Sequence, residues 1–333
     1  MSLYASRITG TGSGFPETRV TNDDISRRVE TNDAWIRERT GISERRISKP
    51  GLESEQNSSL AARAAINALE MAGKRAEDVD AIIYATSTPD TPIPAAACRF
   101  QHKIGATKAW AVDINAGCSG FVFALSMADQ FIKSGHSKTI LVVGADVLSS
   151  FTNWQDRGSC ILFADGAGAF VVEQTLPTDP HRILSSHLKS DGSLTELLHT
   201  VSGGSNRETS PEAHAQKMDK IQMKGREIFK EAVLMIAEYA TLAVETNGLK
   251  LSDIDWLVPH QANLRIIEAV ARRLDFPMER VLVNIDRHGN TSSATVPTAL
   301  DEAIRDGRVK KGDLILLDVF GAGITCGSLL LRY

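Results

Sequence analysis

Two stretches of this chain, 175 residues apart, repeat one pattern, and that repetition limits the possible folds more than any other feature. EDVDAIIYAT (77–86) is an acidic turn followed by an apolar run. SDIDWLVPHQ (252–261) reads the same way, with Asp80 matching Asp255. Further on, VDINAGC (112–118) lies over NIDRHGN (284–290), so Gly117 matches Gly289 and Cys118 matches Asn290. The spacings agree, with 38 positions between Asp80 and Cys118 and 35 between Asp255 and Asn290. Two comparable helices follow, ALSMADQFIKSG (124–135) and PTALDEAIRDGR (297–308), then two buried strands, KTILVVGAD (138–146) and DLILLDVFG (313–321). Each copy closes on a Gly-Ala-Gly segment running into a strand, DGAGAFVVE (165–173) and FGAGITCGSLLLRY (320–333). Strands alternating with helices imply an α/β fold with buried sheets. Duplication implies pseudo-two-fold symmetry between halves 1–175 and 176–333. Matched turns should meet near the axis, with Cys118 and Asn290 on equivalent helix starts. His260, which matches Ala85, should join them from the end of its strand.

Cys118 sits in DINAGCSGFVFALSMADQFIKSG (113–135). The run KAWAVDI (108–114) reads as a strand, and Phe121, Leu125, Ala128 and Ile132 recur as one helix face. A thiol at that strand-to-helix turn faces free N–H groups, which favour negative charge and would lower its pKa. It fits a nucleophile, or a small buried residue. Cys98, Cys160 and Cys326 lie in apolar or small-residue runs and read as inert core thiols. His260 in LVPHQAN reads as a functional strand-end histidine or as one bonded to nearby backbone, with His288 as the rival. Asn290 in HGNTSS reads as a site residue or as an N-cap. Arg265 and Arg272, seven apart with Arg273 adjacent, share one side of a helix, and Arg226 and Lys230 share another. Each pair reads as a solvated face or as a surface for an acidic partner.

Composition narrows the setting. A chain with 42% hydrophobic and 23% charged residues is an ordinary globular protein, and a net charge of −4 argues against a general nucleic-acid binder. MSLYASRITG lacks a signal-peptide core, no apolar run reaches the length of a membrane span, and the four cysteines are dispersed without zinc spacing. The expectation is reduced thiols, a cytoplasmic setting and no metal. GTGSGFP (10–16) is a weak dinucleotide-loop match, because Phe15-Pro16 stands where a helix should open. The stretch 199–220 reads as a loop or flap, and STPDTPIPAAAC (87–98) as a rigid extended loop.

Together, NDAWIRERTGI (32–42), AGCSG (116–120), DRGS (156–159), VPHQANLRI (258–266), RHGNTSSATVP (287–297) and the closing FGAG resemble β-ketoacyl-acyl-carrier-protein synthase III, of the thiolase-like superfamily, over essentially the whole chain. The resemblance implies a layered α-β-α-β-α fold and a homodimer. It implies a condensation that starts fatty acid synthesis: an acyl-CoA primer, expected to be acetyl-CoA, joins malonyl-acyl carrier protein. Cys118 would be the nucleophile. His260 and Asn290 would be two neutral donors to the malonyl thioester oxygen. Trp35, Arg157 and Asn263 would hold coenzyme A, and Lys230, Arg265, Arg272 and Arg273 would dock the acidic carrier protein. Phe320, Gly321, Ala322 and Gly323 would shape the pocket and an oxyanion site with the Cys118 N–H. No permanent cofactor or metal is implied, and neither a membrane nor nucleic acid is a partner.

Two positions depart from the family pattern. Ala322 stands where three consecutive glycines are common, and Ile93 where acetyl-using members often carry a phenylalanine that reaches across the dimer. The smaller side chain would admit a longer or branched primer. Three other readings stay open: a specialised-metabolism acyltransferase with another acceptor, a non-catalytic carrier-binding partner, and a Cys–His thioester hydrolase.

Overall fold

A computed structural model describes residues 3–333. Nine strands form the two main sheets: β1 (Ala5–Gly14), β2 (Ala81–Ala85), β3 (Trp110–Ile114), β4 (Thr139–Val147), β5 (Asp165–Thr175), β6 (Ile183–Ser190), β7 (Trp256–Pro259), β8 (Leu314–Gly321) and β9 (Thr325–Arg332). The first sheet runs β1-β5-β4-β2-β3 and the second β7-β8-β9-β6. In each, a parallel pair (β2 with β4, β7 with β8) adjoins an antiparallel one (β4 with β5, β8 with β9).

Five helices complete the layers: α1 (Asn57–Ala72), α2 (Gly120–Lys133), α3 (Gly225–Thr246), α4 (Leu264–Arg273) and α5 (Thr295–Arg305). Side chains alternate across a strand, so β8 sends Ile315, Leu317 and Val319 to a central core with α2 and α5. It sends Leu314, Leu316 and Phe320 outward to α3 and α4. The outer face of the first sheet packs on α1, whose Ala61, Ala64, Ala65 and Ala68 form a small-residue face. Five layers result, and strands buried on both faces explain the continuous apolar runs in the sequence.

The matched aspartates confirm the duplication. Asp80 Oδ2 accepts the N–H groups of Lys138 and Thr139, and Asp255 Oδ2 accepts that of Leu314. Each thus ties the start of one parallel strand to the next. One pairing needs correction. Val112–Ile114 of VDIN lie in strand β3, but the residues laid against them enter a short helix, Ile285–His288. The second sheet has in that place a single bridge between Val281 and Leu257. Two loop expectations also change. The 87–98 segment turns helical from Ala96, and Cys98 is exposed rather than buried. The 199–220 segment carries a helix (Pro211–Ala215) and is closed by a two-stranded ladder, Leu198–His199 with Gln222–Met223. The glycines of GTGSG lie inside β1, where a side chain at Gly10 or Gly12 would strike the α1 backbone.

Candidate active site

Cys118 lies between Gly117, at φ 55°, and Ser119, just before α2. Gly321, at the end of β8, presses against this turn so closely that a Cβ there would stand 2.6 Å from the Cys118 nitrogen. The 321–323 segment and the Cys118 N–H are therefore neighbours, as an oxyanion site needs. Ala322 is not among the residues with positive φ, so its methyl group sits on ordinary backbone.

From the second half, His260 follows β7 and donates its N–H to Asp318 O at 2.7 Å. Its ring Nδ1 lies 2.7 Å from Thr295 Oγ1. Asn290 is held at both backbone ends, its N–H on Leu162 O and its carbonyl accepting from Ala164, each at 2.9 Å. Its Oδ1 accepts the Ser292 N–H at 2.9 Å, which fixes the amide's sense and leaves Nδ2 for the cavity. Asn290 does not cap α5, because a 3-10 turn, Ser292–Ala294, intervenes. Buried Asp146 joins the halves by accepting from Ser87 N–H at 2.8 Å and from Ser293 Oγ at 2.7 Å.

Cys118 lines two cavities. One, of about 290 Å3, holds His260 and Asn290 and extends past Phe320, Gly321, Asn263, Arg265 and Phe229 to Trp35 and Arg39. The other, of about 410 Å3, is walled by Leu148, Phe151, Phe163, Leu198 and Ile221, with Ala322, Gly323, His199 and Asn115. Leu198 borders both.

Burial pushes the Cys118 thiol up to about 12, with the Ser292 side chain acting against the rise. The helix start therefore does not lower this thiol below its usual range. Packing around the sulfur disfavours its charged form more than the Ser292 and backbone hydrogen bonds favour it. Burial likewise pushes His260 down to about 3, so its imidazole is neutral at pH 7.

The remaining residues divide by place. Arg157 stacks 4.7 Å over the Trp35 ring and Arg39 5.2 Å over it. Asn263 uses its amide to cap α4, accepting from Arg265 N–H, and to bond Arg39 O. Arg265 stands at the mouth of the smaller cavity and Arg272 lies about 10 Å further along α4. Arg273 lines a separate groove between α3 and α4. Lys230 and Arg226 are exposed on the first turns of α3. Ile93 is 86% exposed and does not line the larger cavity. His288 stacks on Phe15, away from Cys118.

Sequence reasoning missed Arg39, Asp146, Ser292 and Thr295. Arg39 had a signal, lying four residues after Trp35 on one helix. Ser292 and Thr295 sit in a Ser/Thr run without periodicity, and Ser292 has φ 56°, unusual for a non-glycine residue.

A sulfur reached from two sides, on a scaffold made of two fused copies, is the plan of the thiolase-like condensing enzymes. A family model described as 3-oxoacyl-[acyl-carrier-protein (ACP)] synthase III matches residues 112–192, and its C-terminal counterpart matches 244–333. A Xanthomonas campestris β-ketoacyl-[acyl-carrier-protein] synthase III is 51% identical, with 98% of each chain covered. The Aquifex aeolicus 3-oxoacyl-[acyl-carrier-protein] synthase III structure superposes with TM-score 0.91 at 45% identity, covering 98% of this chain and 100% of that one. The priming β-ketosynthase of the R1128 polyketide pathway gives 0.90 at 33% identity, covering 98% and 96%. The chain belongs to the β-ketoacyl-[acyl-carrier-protein] synthase III family and is an acyltransferase of the condensing-enzyme class.

Proposed function

We propose that the chain joins an acyl-coenzyme A primer to malonyl-acyl carrier protein. The products are 3-ketoacyl-acyl carrier protein, carbon dioxide and coenzyme A, and the reaction starts fatty acid synthesis. The observation that carries this is the position of Cys118 in the walls of both cavities. A thioester carbonyl delivered along the smaller cavity meets the sulfur, and its acyl chain has the larger cavity to enter. Attack by sulfur forms another thioester, so the acyl group stays reactive. Malonyl-carrier protein then uses the vacated arm. Loss of carbon dioxide leaves an enolate whose oxygen is stabilised by His260 and Asn290. The enolate carbon attacks the acyl carbon on Cys118, and as that C–C bond forms the C–S bond breaks and the sulfur leaves as a thiolate that regains a proton. The coenzyme A thioester is a substrate, and the reaction needs no permanent cofactor.

Trp35 with its two stacked arginines suits an adenine, which arginine and aromatic planes hold by stacking. Arg265 lines the same cavity, and Arg226 and Lys230 are exposed on α3, whose Ile228 and Phe229 also line it; this positive charge suits an acidic carrier protein. A cytoplasmic setting and a homodimer belong to the same reading. No helix among the described residues is long and apolar enough to cross a membrane. In the single chain the partly open space beyond Cys118, about 410 Å3, exceeds the roughly 90 Å3 of an acetyl group at about 30 Å3 per heavy atom.

The test is intact-protein mass spectrometry with acyl-CoAs from acetyl to medium and branched chains, alongside Cys118→Ala. A mass gain of one acyl group, absent in the variant, is expected, with chains beyond acetyl accepted. No acylation by any member would overturn the coenzyme A-primed reading. Adding malonyl-carrier protein should then discharge the acyl group as a ketoacyl product. Transfer only to another acceptor would favour the specialised-metabolism reading.

A further inference from the structure

Asp146 stands near the end of β4 as a fully buried carboxylate, and donors from both halves of the chain converge on it. From the first half, the Ser87 nitrogen lies 2.8 Å and Thr88 Oγ1 3.1 Å from Oδ1. From the second half, Ser293 Oγ lies 2.7 Å and the Ser293 nitrogen 3.1 Å from Oδ2. Backbone N–H groups only donate, so each carboxyl oxygen must accept, which the ionised form does at both. Gly144 lies two residues earlier on the same face of β4. A Cβ there would stand 2.7 Å from Ser293 O, so the glycine makes room for the 3-10 turn that the aspartate holds.

That turn governs Asn290. Ser292 has φ 56°, a conformation a serine keeps only where its neighbours enforce it. Its carbonyl carbon is joined to the Ser293 nitrogen that Asp146 binds, and its own N–H is the donor that fixes Asn290 Oδ1. We propose that Asp146 is a positioning residue that sets the direction of the Asn290 amide across the junction of the two halves, and with it the rate of malonyl decarboxylation. The proposal rests on the acyl-transfer reading above. Asp146 lines neither cavity and acts through Ser293 and Ser292. Its first-half partners, Ser87 and Thr88, line the larger cavity. The carboxylate thus ties the wall of the acyl space to the donor of the second half-reaction.

The experiment pairs Asp146→Asn with Ser293→Ala in the full-length protein. Asparagine offers one oxygen and one NH2, so a backbone N–H of Ser87 or Ser293 would lose its acceptor. Cys118 is first acylated with acetyl-CoA in single turnover, and carbon dioxide release from added malonyl-carrier protein is then timed. Release should fall about 10- to 100-fold in Asp146→Asn, and acylation less than about fivefold. Ser293→Ala, which keeps every backbone bond, should show a smaller loss of the same kind. In an Asn290→Ala background, Asp146→Asn should add less than about twofold, because its effect passes through the missing amide. The full loss repeated in that background, or equal losses in both half-reactions, would overturn the proposal. The nitrogen-15 signal of the Asn290 side-chain amide, assigned with Asn290→Ala, should move in both single variants. An unmoved signal in Ser293→Ala would overturn the proposal even where Asp146→Asn does not fold. No carbon dioxide release from the unsubstituted protein, with the amide signal still moved in the variants, would instead strike the acyl-transfer reading.

Discussion

Gly117 and Gly289 both hold a positive φ, 55° and 64°, yet the chain leaves them by different routes. After Gly117 the helix begins at Gly120, and Cys118 is carried straight into the walls of two cavities. After Gly289 the helix waits until Thr295, and a 3-10 turn fills the gap. That extra turn supplies the Ser292 N–H that orients Asn290, the Ser292 carbonyl, and the Thr295 hydroxyl beside His260. Duplication brings the two turns together, and the added residues in one of them make its chemistry different. One copy presents a thiol and the other an ordered set of hydrogen-bonding groups.

The sharpest way to separate the two turns is to remove the working group of the second. Asn290→Ala should lower malonyl decarboxylation about 10²- to 10³-fold, the usual loss for one donor to a developing oxyanion. Acylation of Cys118 in single turnover should stay within about tenfold. An equal loss in both half-reactions would break the division of labour.

The glycines themselves come next. A Cβ at Gly117 would meet Ala322 backbone nitrogen at 2.8 Å, whereas one at Gly289 meets its nearest atoms at 3.1–3.2 Å. Both positions also demand positive φ. Gly117→Ala should cost about 2–3 kcal/mol in denaturant unfolding and Gly289→Ala about 1–2 kcal/mol. The reverse order would show that the second turn is the more rigid.

The third expectation concerns pH. His260 is held near 3, below its unfolded value of about 6.5. Its contribution to stability is complete above about pH 6.5 and is lost as pH falls toward 3. Asp165, pushed up to about 6 by burial, acts the other way, favouring the fold below about pH 4 and less so as pH rises through 6. Comparing His260→Gln with the unsubstituted protein cancels Asp165, and the variant should lose less stability between pH 6.5 and 4. Parallel stability curves would sink the claim that the imidazole is buried neutral.

The smallest effect concerns the entrance. Arg265→Ala should raise KM for malonyl-carrier protein several-fold at low salt, with the difference fading at high salt. Arg272→Ala, further from the mouth, should change it less. Equal effects would extend the docking surface along the whole of α4.

Much was legible before any coordinates. The repeat, the buried strands and the convergence of Cys118, His260 and Asn290 follow from pattern and spacing, because period and apolar content are local properties that a duplicated core must obey twice. Cys98 shows where this fails: a small-residue run says nothing of which helix face it falls on, and that face is exposed. VDIN and NIDR align as text, but one copy forms an edge strand and the other a helical turn, because strand formation needs a partner that a four-residue motif does not carry.

Only the tertiary structure decided the electrical state of the site. By itself, the sequence of Cys118 at a helix start points to an acidified thiol, whereas packing between the halves pushes its pKa up. The His260 ring is held by a hydroxyl 35 positions away in the chain, Thr295 Oγ1, at 2.7 Å. Pattern determines which residues meet, while solvation and hydrogen-bond direction depend on everything that surrounds them once they have met.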